Sequence, residues 1–222
     1  MGNMIVASQP AAHRFGIATA LAIAFLTLVY AVVLAIGLLT LPSPNHPIQN
    51  PWFTLMEVLI MAIAPTMVAF MVALHQWVPQ ERRALSLSAV VFMAMCAVVT
   101  CTVHFAILTL SRQSTFADPT IVRAVFAFQW PSVAYALDIL AWDFFFPIAA
   151  ILAGASLGGE GEKAVRWLFV ASGLLAFVGL VGVPLADMQL RNIGIIGYLL
   201  VFPVAAVLMA KRFNCEGEKS AA

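Results

Sequence analysis

Asp138-Ile-Leu-Ala-Trp-Asp-Phe-Phe-Phe-Pro147 sets two carboxylates and a tryptophan inside a run otherwise apolar enough to cross a membrane. A charged side chain at bilayer depth costs at least about 2.5–3.5 kcal/mol on insertion scales, so such residues face a bundle interior and have partners or a task. The run around this stretch covers residues 131–157, and five more stretches have the roughly 20 predominantly apolar residues that a spanning helix needs. They are residues 16–41, 52–76, 84–110, 165–186 and 193–210. The expected fold is therefore all-α, a single polytopic membrane domain over residues 1–222 made of six transmembrane helices. Within it, residues 1–15 are expected to be a cytoplasmic segment before the first span, and residues 211–222 a polar, fraying cytoplasmic tail.

Composition agrees with this reading. The chain is 63% hydrophobic and 9% charged with mean hydropathy +1.01, whereas soluble domains carry about 25% charged residues. Its solvent is the lipid bilayer. A net charge of +1, with the Lys and Arg in loops and tails, supplies no basic field for nucleic acid. Cys96, Cys101 and Cys215 form no CxxC pair and no even set, which indicates neither a disulfide framework nor a zinc ribbon. The six stretches share no spacing of polar residues, so no internal repeat is expected.

The distribution of Lys and Arg sets the orientation. With the N-terminus inside, eight (Arg14, Arg82, Arg83, Lys163, Arg166, Lys211, Arg212, Lys219) fall on the cytoplasmic side, against three (Arg112, Arg123, Arg191) outside. That bias places both termini in the cytoplasm. Trp52 and Trp130 then mark the outer interface and Trp77 and Trp167 the inner one, while Trp142 is left deep in the fourth span. The first outer connection holds Pro42, Pro44, Pro47 and Pro51 and should be stiff. The second is the longest and has room for a short helix or lid starting at Asp118-Pro119-Thr120.

At about 1.5 Å per helical residue, Glu57, His104 and Asp138 lie within about two turns of the outer surface and Asp143 near the midplane. Asp187 and Arg191 close the outer end of the fifth and sixth spans. The candidate ligand- or ion-binding set is therefore Glu57, His104, Asp138, Trp142, Asp143, Asp187 and Arg191, with Arg191 at the mouth. Asp138 and Asp143, five apart, should diverge by about 140° on a regular helix and so not face one another. Pro147 should free the carbonyl of Asp143, and Pro65 that of Met61. The plain alternatives are an Asp138 held by Tyr135, a His104 held by Thr100 or Cys101, and glycines that merely reflect the habits of membrane helices. His104, Glu57 and an Asp are chemically adequate metal ligands. No His-x-x-x-His or Glu-x-x-His spacing supports that use, and metal and cofactor both stay open.

The stretch from Trp130 to Phe146, together with Asp187-Met-Gln-Leu-Arg-Asn-Ile-Gly-Ile-Ile-Gly-Tyr198 and Val103-His-Phe105, resembles a group of bacterial six-span membrane proteins with no assigned activity. The resemblance covers about residues 51–213 and implies a fold and a place in the plasma (inner) membrane, but no reaction. Three functions remain open. The first is a small-molecule or ion binding or transport protein with a polar cavity in the outer half. The second is a structural or accessory subunit whose polar groups hold helices together. The third is a membrane-embedded enzyme acting on a lipid- or quinone-like substrate, with His104 and a carboxylate as acid and base. No residue is assigned as catalytic.

Overall fold

The computed structural model describes residues 9–43, 46–159, 161–185 and 187–221. Among the described residues, six helices are long and apolar enough to cross a membrane: α1 Ala12–Leu39, α2 Trp52–Trp77, α3 Gln80–Arg112, α4 Val133–Ser156, α5 Lys163–Leu185 and α6 Arg191–Cys215. The chain is an all-α bundle, as its hydropathy requires. The largest boundary differences from the sequence expectation lie at the two ends. Helical structure starts at Gln9, inside the segment read as preceding the first span; the rest of that segment, residues 1–8, lies outside the described residues. The last helix runs on to Ala221, so the tail expected to fray is helical.

Each helix packs on the next and α6 returns to α1, closing a ring in chain order. Short connections make this the natural solution for successive antiparallel helices. Two ends can be named by what they carry. The long-loop end holds the 113–132 connection, and the opposite end holds α1 from Gln9, the α2–α3 and α4–α5 turns and the end of α6.

The interior differs between the two halves. Toward the α4–α5 turn it is a plug of aromatic rings: Phe70, Phe146, Phe169, Phe202 and Phe213 are fully buried. Phe70 meets Phe169, Phe202 and Phe213 at ring-centroid distances of 6.1, 6.2 and 6.5 Å. Such tilted and edge-on pairs add to simple burial. At that end Glu162 fastens the α4–α5 turn. Its Oε2 accepts from Gly159 N at 2.6 Å and Gly158 N at 2.8 Å, and its Oε1 from Trp77 Nε1 at 3.0 Å. Partial burial works against its ionisation, but these donors and Arg82 hold its carboxyl below the usual range. Arg82 also donates to Leu157 O at 2.7 Å.

Two spans share a local pattern that the spacing of polar residues does not reveal. Phe146-Pro-Ile-Ala-Ala-Ile-Leu-Ala-Gly154 in α4 is matched by Phe202-Pro-Val-Ala-Ala-Val-Leu-Met-Ala210 in α6. In both, a wide i→i+5 turn (Leu140–Phe145 and Gly197–Val201) ends immediately before the Phe-Pro pair. A helical proline clashes with the carbonyl four residues back, and an extra residue in the preceding turn relieves that crowding. Equivalent positions meet across the bundle: Trp142 lies on Tyr198 at 5.0 Å and Phe146 on Phe202 at 5.3 Å. Absence of an internal repeat is therefore corrected for these two segments. Pro65 behaves otherwise: α2 stays α-helical through it, and Met61 O, the carbonyl it deprives of a donor, lies 3.9 Å from the Cys101 thiol.

Glycines let neighbouring helices approach closely. A methyl on Gly154 would lie 2.7 Å from Arg166 O, and one on Gly197 2.5 Å from Ser172 O. Ser172 also donates to Gly197 O at 2.9 Å, tying α5 to α6 at the wide turn. The cysteines are free, Cys96 buried and Cys215 exposed.

Candidate functional site

In the half nearer the long-loop end, side chains from four helices form one buried chain of charge. Glu57 comes from α2, His104 from α3, Asp138 and Asp143 from α4 and Arg191 from α6. None is more than 5% exposed, and Asp143 is wholly buried. Glu57 Oε2 lies 2.8 Å from His104 Nδ1. His104 Nε2 lies 3.6 Å from Asp138 Oδ1, an ion-pair separation too long for a hydrogen bond. Arg191 donates through Nη2 to Asp138 Oδ2 and through Nε to Asp143 Oδ2 at 2.8 Å. His104 is thus bonded to Glu57, rather than to Thr100 or Cys101, and Asp138 to Arg191 rather than to Tyr135.

The two aspartates share one guanidinium, which corrects the expectation that they diverge. Residues 140–145 between and including Asp143 form the wide turn. One added residue per turn brings position i+5 nearly above position i, where a regular helix would bring i+4. Without that turn Asp143 would point away from Arg191. The expectation that Pro147 frees the carbonyl of Asp143 rested on the regular register too. Phe146 N–H bonds to Ala141 O, five residues back, so in that register the donor missing at Pro147 corresponds to Trp142.

Arg191 is the second correction. It was expected at the mouth, and it is 5% exposed at the centre of the chain. α6 begins at Arg191 itself, so the side chain leaves the first turn and runs inward to two carboxylates, which offset its desolvation. Its guanidinium carbon also stands 4.5 Å from the centre of the Tyr135 ring, a cation–π contact. Asp187 does not join the chain. It is exposed, and its Oδ1 accepts from Gln189 N at 2.9 Å, fixing the turn into α6. Trp142 is buried but faces Tyr198 and Phe146, so it walls the site from the aromatic plug.

Within this chain of charge, His104 Nε2 and Asp143 Oδ1 are buried without a hydrogen-bond partner. The second fits against glycines. A methyl on Gly194 would lie 2.7 Å from Asp143 Oδ1 and one on Gly179 3.0 Å from it. The α5–α6 glycines thus make room for this carboxylate.

The long connection folds over the His104 end. Asp118 caps a short helix with Pro119 first in it, accepting from Thr120 N at 2.7 Å, which matches the expected start. This bond holds the exposed Asp118 carboxyl below its usual range. Phe126 is buried against Val103, Ile107 and Ala134. The Phe128 ring lies 5.4 Å from that of His104 and 5.7 Å from that of Tyr135. Phe128, 37% exposed, therefore covers the imidazole. The sequence offered one signal for this cover, the closely spaced Phe126 and Phe128, which hydropathy did not separate from ordinary loop residues.

Among the described residues, no group of three His, Cys, Asp or Glu side chains is arranged to hold a metal ion. The chain matches no protein-family model, no curated protein and no solved structure.

Proposed function

We propose that this is a membrane protein that binds a small cation, a proton or an alkali metal ion, in the buried charge chain, as the binding step of a transport or sensing activity. One observation carries the reading. The chain opposes three carboxylates with one guanidinium and one imidazole. With all three carboxylates ionised it carries two excess negative charges when His104 is neutral and one when it is charged. An uncompensated ion costs several kcal/mol in such surroundings, so cations are the ligands this site favours. Within it Asp143 Oδ1 is buried and has no hydrogen-bond partner, so it is free to accept one.

The accessory-subunit reading has support of its own, because most of the polar atoms satisfy one another. The two readings separate on ligand dependence. Thermal unfolding of the purified protein in detergent, followed from about pH 5 to about pH 9, and in sodium, potassium or choline chloride at fixed ionic strength, tests the first. The melting temperature is expected to depend on pH or on which cation is present, since a ligand held by the folded chain alone stabilises it. Asp143→Asn removes one excess charge and is expected to weaken that dependence. A melting temperature indifferent to both variables would leave the accessory role.

The same proposal places the long-loop end outside and both termini in the cytoplasm of a bacterial plasma membrane. Support comes from the eight-to-three distribution of Lys and Arg. The burial of Arg191 removes one of the three from the outer connections. A reporter active only in the cytoplasm is expected to give signal when fused after Ala222 and none when inserted after Pro119. The reverse pattern would invert the orientation.

A further inference from the structure

We infer that His104 Nε2 is a proton-binding site, and that the proton held there reaches it past Phe128. This rests on the cation reading above and selects its ligand. An ionised Glu57 carboxylate only accepts hydrogen bonds, so the ring nitrogen 2.8 Å from it, Nδ1, carries the hydrogen. In a neutral imidazole Nε2 is then a bare lone pair. It faces Asp138 Oδ1, another acceptor, at 3.6 Å, and no donor reaches it. Two acceptors turned toward each other in a buried place repel, and one proton converts their contact into a charge-assisted hydrogen bond.

An alkali ion does not fit between these two atoms. Hard cations need several oxygen ligands, whereas one side here is an imidazole nitrogen and Asp138 Oδ2 is taken by Arg191.

The groups facing His104 from every packed element are consistent with one bound proton. Glu57 on α2 and Asp138 on α4 flank it. Arg191 on α6 stands beyond Asp138, followed by Asp143. Tyr30 on α1 lies within the electrostatic reach of Asp138, Glu57 and Arg191, and Tyr198 on α6 within that of Arg191 and both aspartates. Tyr135 and Phe128 close the long-loop side. Binding is a simple addition: the Nε2 lone pair takes the proton, the imidazole becomes imidazolium, and its new N–H donates to Asp138 Oδ1. Asp138 then divides its charge between His104 and Arg191, which frees Arg191 to lean toward Asp143. Proton binding on α3 is thereby coupled to the contact between α4 and α6.

Heteronuclear NMR of the full-length protein with isotope-labelled histidine, in detergent micelles, tests this. The chain has four histidines, His13, His46, His75 and His104, and His104→Gln identifies the signals of the last by their loss. If that variant does not fold, Gln variants of the other three identify it by elimination. The expected result is an imidazole protonated on both nitrogens that converts to the Nδ1–H form as pH rises. Asp138→Asn takes away the Nε2–H acceptor and is expected to shift that conversion by about one pH unit or more. Phe128→Ala, which uncovers the ring, is expected to speed exchange of the Nε2 proton with solvent. A His104 that stays singly protonated across the range, or a conversion unmoved by Asp138→Asn, overturns the assignment. If the melting temperature still responds to sodium or potassium, that failure leaves the cation reading intact. If it responds to nothing, both fall.

Discussion

Replacing Arg191 by methionine is expected to destabilise the protein by about 3–5 kcal/mol, the usual cost of leaving buried charge without its partner. Asp138 and Asp143 would then face each other with no cation between them, both at or near full burial. Whole-protein stabilities are about 5–15 kcal/mol, so recovery of the variant should fall sharply. Two further variants separate charge from shape. Arg191→Lys keeps the charge, but an ammonium is a point donor and cannot reproduce the fork that reaches one carboxylate through Nη2 and the other through Nε. It should recover only part of the loss. Asp138→Asn with Asp143→Asn in the Arg191→Met background removes the stranded charges and should recover more. Thermal unfolding in detergent and the monodisperse fraction on size exclusion measure all three. An Arg191→Met protein as stable as its parent would mean that the guanidinium does not hold α4 to α6.

The second large effect is expected from a single methyl. Gly194→Ala places a Cβ 2.7 Å from Asp143 Oδ1 and 3.5 Å from the Ala176 backbone. The carboxylate cannot swing aside, because its other oxygen is held by Arg191 at 2.8 Å. Forcing α6 away from the Asp143 carboxylate of α4 is expected to cost about 1–3 kcal/mol, the range for overpacked interiors. In an Asp143→Ala background most of that penalty should vanish. The double-mutant cycle therefore reads the contact itself; additive effects would show that Gly194 is needed for some other approach.

The six spans were legible because a bilayer demands long apolar helices, and hydropathy reports that demand directly. The convergence of Glu57 and His104 with one of the two aspartates was legible too. Ionisable groups at one depth of a small bundle have little choice but to meet inside it. Two features escaped for physical reasons. The wide turn at residues 140–145 changes the angular phase of Asp143, and on a helix apolar on every face no periodicity exists to betray an added residue. The depth of Arg191 escaped because α6 begins earlier than its apolar run. A guanidinium reads as a boundary until its carboxylate partners are known, and they lie on another helix. The Phe-Pro repeat was present as letters in α4 and α6, but only the paired wide turns give it structural meaning.

Charge movement shows directly whether the buried chain takes up a cation. Proteoliposomes on a solid-supported membrane can be exposed to a rapid step in pH, or in sodium or potassium at constant pH, while the transient current is recorded. A transient current is expected as positive charge enters the chain, reduced by Asp143→Asn. With the proton as the ligand, that current follows the pH step and is lost in His104→Gln. A parent protein, correctly inserted, in which neither a proton step nor an alkali cation step moves charge would contradict the account and leave the five buried residues as a structural clamp.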